Sequence, residues 1–261
     1  MLGDRLELGS EAARHARVLR LAAGDPVQLF DGRGGRCTAR VLSVAQGKIH
    51  FEIIDVPRWR PRSAKLVLVQ CLPRQGKLEP VVRMTTELGL GSLRLAVSER
   101  SVSRPDAARA GRRVERLAQV ASEAARQSER DWVPDVQPPA PLLEVAALAP
   151  PGAARVALWA RCAHGFELSL PESAGHGEAS SVPEVWLVVG PEGGLSPAEL
   201  EGLDALGYRR AGLGEGILRT ETAAVVAVAL ANAQFGTPGT PDGAPVRPGA
   251  TAENSPAACG D

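Results

Sequence analysis

From Asp25 onward the chain alternates apolar and polar positions through "DPVQLFDGRGGRCTARVLSVAQGKIHFEIIDV", and the alternation breaks at "GDP", "DGRGG" and "AQGK". A period of two interrupted by turn residues predicts strand, turn, strand, turn, strand, hence a small antiparallel sheet or barrel. A helical turn is expected just before it, around Glu11 to Leu21. The segment "PRWRPR" (57–62) then predicts a linker, because its prolines and arginines bury poorly.

Beyond residue 62 the pattern changes. "AKLVLVQCL" is a continuous apolar run, as in a strand covered on both faces, and "KLEPVVRMTTELGL" sets Leu78, Val81, Val82, Thr85 and Leu88 at helical spacing. "SLRLAVS" predicts a strand, 106–130 a long helix of Arg, Ala and Glu, and "ARVALWA", "VWLVVG" and "YRRAGL" further strands; a helix over 221–235 closes the pattern. Strands alternating with helices imply an α/β domain, a parallel sheet with helices on both faces. The expected organisation is a small β domain over 1–62, an α/β domain over 63–236 and a tail over 237–261. That tail is dense in Pro, Gly, Ala and Ser and is expected to be disordered.

Composition narrows the function classes. With 44% apolar residues in 261, the chain can build real cores. Lys plus Arg and Asp plus Glu balance at 30 each, so any nucleic-acid surface must be local. Residues 1–62 are mildly basic, eleven Arg/Lys against seven Asp/Glu. Four Cys without a CxxC pair and four scattered His exclude zinc fingers and disulfide scaffolds, predict no metal site and fit a reducing cytoplasm. No apolar run reaches about 18 residues free of polar interruption, so neither secretion nor a membrane partner is expected.

Two stretches carry candidate chemistry. In "VWLVVGPEGGLSPAELEGL" a buried strand runs into Gly190-Pro191-Glu192-Gly193-Gly194, after which Ser196 and Glu199 form the S-x-x-E capping pattern with Pro197 at the first helical position. Glycines at a strand end let backbone approach a ligand, although a tight turn alone would use them equally well. The loop is neither G-x-G-x-x-G nor a P-loop, which counts against a nucleotide-phosphate enzyme. In "LGEGILRTETAA" a second glycine turn leads into a helix. Thr220, Glu221 and Thr222 suit a helix start by capping and charge. Arg219 does not, since a cation at the positive end of a helix calls for an anionic partner.

Together these two stretches resemble the signature segments of the SPOUT class of RNA methyltransferases, and most closely the RsmE family. Further likeness lies in "HARVLRLAAGDPVQLFDGRGG", "QGKLEPVVRMTTELGL" with "SERSV", and "ASEAARQSERDWVP", so five ordered blocks span about 11–236. The resemblance implies methylation of N3 of a uridine in 16S ribosomal RNA with S-adenosylmethionine. It implies a SPOUT-type parallel sheet with a C-terminal trefoil knot, an exception to unknotted connections, preceded by a PUA-like RNA-binding β-barrel. It further implies a cytoplasmic homodimer acting on 16S ribosomal RNA or the small ribosomal subunit. A non-catalytic RNA-binding assembly factor is the alternative, separable by titration with S-adenosylmethionine.

Carried over by position, the cofactor loops are Leu187, Gly190, Pro191, Glu192, Gly193 and Gly194, then Leu213, Gly214, Ile217, Leu218 and Thr222. Arg219 is the candidate for RNA phosphate or for steadying charge on the uracil oxygens, with Glu221 or Glu192 as base or orienter. Arg17, Arg20, Arg33 and Arg36 are candidates for RNA phosphates. One departure stands out: where the family usually carries an arginine just before Ile-Leu-Arg, this chain has Gly216, and Arg209 or Arg210 are candidates to supply the missing cation.

Overall fold

The computed structural model describes residues 3–62, 64–74, 76–102, 106–168, 182–235 and 250–251. The chain divides into two compact units: Met1–Pro61 with Ala125–Val133 and Gly239–Asp261, and Arg62–Ala124 with Pro134–Pro238.

The first unit contains β1 (Arg5–Leu8), α1 (Ser10–Val18), β2 (Pro26–Phe30), β3 (Gly35–Ala45), β4 (Lys48–Ile53) and β5 (Arg58–Trp59). Its sheet runs β1-β4-β3-β2, antiparallel, with β5 also paired to β3. Ala12, Ala13 and Ala16 bring α1 close to Val27, Leu29, Val41, Ile49 and Phe51, which alternate inward along the strands. The helix ends in a Schellman motif, with Leu21 N–H on the Ala16 carbonyl at 2.9 Å, and puts Arg20 in the left-handed region at φ 54°.

Three features here depart from the sequence expectation, the first being β1 ahead of the helix. Arg58–Trp59 is not linker but strand, pairing with Gly35 and Arg36. Residues 125–133 also belong to this unit. Trp132 meets Trp59 edge-on at 5.9 Å and donates its indole N–H to the Arg60 carbonyl at 3.0 Å. A Cβ on Gly34, at φ +99°, would lie 2.6 Å from the Trp132 ring, so the turn there requires glycine.

The second unit contains β6 (Lys65–Cys71), α2 (Leu78–Glu87), β7 (Ser92–Val97), α3 (Ala107–Gln127), β8 (Asp135–Pro141), α4 (Leu142–Ala146), β9 (Ala154–Leu158), β10 (Glu184–Val189), α5 (Pro197–Ala205), β11 (Arg209–Ala211) and α6 (Thr220–Phe235); α3 ends within residues grouped with the first unit. The sheet order is β11-β9-β10-β6-β7-β8, and every pairing is parallel. Val67, Val69, Trp186 and Val188 pack with α4 and α5 in one core, while α6 packs on β6 and β10 and against α2, so helices cover both faces as expected. The pattern missed β8, whose Pro138, Pro139 and Pro141 argue against a central strand. It lies at the sheet edge, where missing N–H donors are tolerated, with a register shift opposite Arg94 and Ala96.

The strand order reverses between β6 and β10, which sets a crevice outside the carboxyl ends of these strands. Ala250–Thr251 forms a short strand, β12, parallel to Leu29–Phe30 of β2. The rest of the tail expected to be disordered lies outside the described residues.

Candidate functional site: a glycine-lined cleft

The residues following β10 turn immediately. Gly194, at φ +70°, donates to the Pro191 carbonyl at 2.8 Å, and Ser196 then caps α5. The capping box is complete: Ser196 Oγ accepts from Glu199 N–H at 3.3 Å, and Glu199 Oε2 accepts from Ser196 N–H at 2.8 Å. Glu199 Oε1 also accepts from Glu99 N–H at 2.7 Å, which ties the exit of β7 to the same helix start.

The second loop is pinned to the first. Thr220, buried at the start of α6, donates from Oγ1 to the Gly190 carbonyl at 2.7 Å and accepts from Gln70 Nε2 at 3.0 Å. Gln70 Nε2 also bonds the Cys71 carbonyl at 2.9 Å. One amide and one hydroxyl thus couple β6, the loop after β10 and the start of α6 beneath the site. Adjacent Cys71 has its thiol pushed up to about 12 by burial, which keeps it protonated and inert.

Above this layer is a cleft of about 620 Å³. It is bounded by 158–161 after β9, by 189–195, by Leu213 and 216–220, and by Arg100 after β7. Of the residues singled out in the sequence, Gly190, Pro191, Glu192, Gly193, Gly194, Leu213, Ile217, Leu218 and Arg219 line it. Four do not. The Leu187 side chain is wholly buried in β10, and Gly214, Glu221 and Thr222 lie outside the lining.

Lys77, the N-cap residue of α2, organises the charges beside the cleft. Its ammonium lies 2.9 Å from Glu192 Oε1 and 3.3 Å from Glu221 Oε2, and the Arg74 N–H reaches Glu192 Oε1 at 3.2 Å. Burial tends to raise the Glu192 carboxyl, but the Lys77 hydrogen bond and backbone N–H donors outweigh it, so the carboxyl sits below its ordinary value. Its hydrogen bond to Glu192 in turn holds the Lys77 ammonium above the usual lysine range. A depressed carboxyl is a poor general base at neutral pH, so Glu192 suits orientation better than proton removal.

Sequence reasoning missed Gln70 and Lys77, yet both left a signal. Gln70 is the polar residue within the apolar run 66–72, and Lys77 is a cation at the positive end of a helix. The same reasoning had singled out Arg219.

The arginines of the first unit divide. Arg17, Arg20 and Arg33 are exposed. Arg36 is not available in the same way: its Nε pairs with Asp131, Nη1 donates to Gln28 Oε1 at 2.7 Å and Nη2 to the Glu129 carbonyl at 2.7 Å. That guanidinium holds the 125–133 segment, which leaves it less open to an RNA phosphate than the other three. Arg209 and Arg210 are likewise engaged, by Glu167 and Asp204, and neither lines the cleft.

A model of the RNA methyltransferase domain matches residues 60–232, and a model of the RNA methyltransferase PUA domain matches residues 8–54. Fold and matches define a SPOUT-type RNA methyltransferase with a PUA-like N-terminal domain. The ribosomal RNA small subunit methyltransferase E of Bacillus subtilis (strain 168) is 31% identical over 239 residues, covering 87% of this chain and 88% of that protein. The Synechocystis protein of the same name is 32% identical over 220 residues, covering 83% and 69%. Among solved structures, the Neisseria gonorrhoeae ribosomal RNA small subunit methyltransferase E bound to S-adenosylmethionine superposes with a TM-score of 0.78 at 25% identity, over 90% of this chain and 94% of that one. A Legionella pneumophila methyltransferase in complex with the same cofactor gives 0.75 at 25% identity, over 90% and 93%. The chain belongs to the ribosomal RNA small subunit methyltransferase E family.

Proposed function

We propose that this protein transfers the methyl group of S-adenosylmethionine to N3 of one uridine in 16S ribosomal RNA, in the cytoplasm and as a homodimer. The observation that carries the reading is the cleft built from two glycine loops at the carboxyl ends of β9, β10 and β11. Its volume lies within the roughly 300–1,000 Å³ usual for small-ligand sites. The residues fit the cofactor: a Cβ on Gly190 would press to 3.2 Å from Leu195, and one on Gly193 to 3.2 Å from Arg100. Backbone is therefore free to approach a flat ring, and Leu158, Leu213, Ile217 and Leu218 supply apolar walls.

When bound, S-adenosylmethionine supplies an already activated methyl on a sulfonium, which leaves positioning as the main task of the protein. The Gln70–Thr220–Gly190 chain holds the two loops at a set separation, and Lys77 holds Glu192 beside them. Loss of the N3 proton spreads negative charge over the uracil oxygens, and Arg219 is our candidate for stabilising it. Glu192 and Glu221 are read as orienting groups facing Lys77, which keeps Glu192 ionised. The exposed Arg17, Arg20 and Arg33 are read as phosphate contacts of the PUA-like unit.

The dimer is supported by α6. Its sequence, TETAAVVAVALANAQF, is apolar around the helix over 223–231, yet Leu230 is 42% exposed and Val226 only half-buried. An all-round apolar helix requires cover on every face. The trefoil knot belongs to the same reading, by resemblance.

The test is methylation of 16S ribosomal RNA, free and in the small subunit, with labelled cofactor, followed by mass-spectrometric mapping. A single N3-methyluridine is expected. Cofactor binding in a calorimeter without methyl transfer, or no binding at all, would favour the RNA-binding assembly factor instead. Arg219→Ala is expected to lower the methylation rate at least tenfold at saturating RNA; an undiminished rate with normal RNA binding ends its charge-stabilising role.

A further inference from the structure

Three arginines line the cleft: Arg100 after β7, Arg161 after β9 and Arg219 before α6. Arg100 is partly engaged, donating from Nη1 to the Gly193 carbonyl at 2.9 Å. Arg161 and Arg219 are exposed, and among the described residues neither guanidinium has a hydrogen bond or ion pair. Among the described residues the one acidic residue in the lining, Glu192, is already held by Lys77 and the Arg74 N–H. The cleft therefore has more positive charge than its own carboxylate can balance.

The cofactor does not supply the counter-charge. S-adenosylmethionine carries a sulfonium and an ammonium against one carboxylate, so it brings net positive charge to the same space. Balance requires a second, anionic ligand, and the guanidinium fork fits phosphate oxygens. A polynucleotide backbone meets the need, and its contacts carry a signature in salt dependence.

Gly216 lines the cleft too. Its φ lies outside the left-handed region and a Cβ there would meet nothing within 4 Å, so neither backbone nor packing demands glycine. Arg209 and Arg210 are paired elsewhere and do not line the cleft. We propose that Arg161, at the exit of β9, is a phosphate-binding residue of the RNA site, and that a cation placed at position 216 of the same cleft can take over its role. The assignment rests on RNA being the substrate.

The test compares wild type, Arg161→Ala, Arg161→Lys and the double variant Arg161→Ala/Gly216→Arg. Affinity for a 16S ribosomal RNA transcript is measured across a salt series, and affinity for S-adenosylmethionine by calorimetry. Arg161→Ala is expected to weaken RNA binding several-fold and flatten the slope of log K against log salt by about 0.7–0.9, the loss of one phosphate contact. Cofactor affinity and melting temperature should stay at the wild-type value, Arg161→Lys should keep most of the slope, and Gly216→Arg should restore it in the double variant. A slope unchanged in Arg161→Ala, or one that Gly216→Arg does not recover, overturns the assignment. So does a fall in cofactor affinity without a change in slope, which would move Arg161 to the cofactor carboxylate. If wild type binds no RNA, it is the proposed function that fails, a result distinguishable from all of these.

Discussion

At Lys77 one ammonium faces two carboxylates from different parts of the chain, and the pKa directions say what it does there. Glu192 is depressed, so the stability it contributes is present above the ordinary carboxylate pKa, about 4.3, and is lost as pH falls through its lowered folded value. With Lys77 removed, burial is opposed only by the backbone N–H donors, and the Glu192 titration should move upward. Lys77→Met is therefore expected to weaken S-adenosylmethionine binding about tenfold at neutral pH and to shift the acid limb of the binding profile to higher pH. Lys77→Arg should keep most of the affinity. Calorimetric titration from pH 4 to 8 checks both, and an unmoved acid limb would reduce Lys77 to a surface ion pair of little consequence. At this scale the sequence shows which residue types are out of place, such as Arg219 and Gln70, because each conflicts with its local setting. It does not show partners: Arg36 and Arg33 look alike in the sequence, but only Arg36 has Asp131, Gln28 and Glu129 within reach.

Helix α5 is an element whose start was legible residue by residue, since Ser196, Pro197 and Glu199 act within one turn. Ser196→Ala removes the cap and leaves Glu199 with only part of its hydrogen bonding, at a cost of about 1 kcal/mol. Chemical denaturation should show this as a lower midpoint with an unchanged slope; a change below about 0.3 kcal/mol would mean that Glu199 alone maintains the helix start. The helices α1, α2, α3 and α6 and the strands β2, β3, β4, β6, β7, β9, β10 and β11 follow from periodicity in the same local way. Strands β1, β5 and β8 and helix α4 do not. Arg58–Trp59 and the proline-rich 135–141 are poor strands by composition, and they pair because the Gly35–Arg36 end of β3, beyond its pairing with β4, and the outer side of β7 are open. That edge exists only once the rest of each sheet has formed.

For the whole molecule, α6 poses the outstanding requirement. An apolar helix with Leu230 and Val226 still in contact with solvent predicts self-association. Sedimentation equilibrium is expected to give a dimer for wild type, and Leu230→Glu a monomer with lost methyl transfer; a wild-type monomer across micromolar concentrations would remove the dimer from the proposal. By itself the amino-acid sequence determined the α/β character of residues 63–236, the antiparallel character of what precedes them and the two glycine turns. Each is specified by periodicity or by a motif within about ten neighbours. Only the tertiary structure decided that β6 and β10 lie side by side, that Gln70 and Thr220 join the two loops, and that Arg161 shares a cleft with Arg219 and Gly216. Strand order and side-chain partnership depend on contacts between residues up to 150 positions apart, which no local pattern encodes.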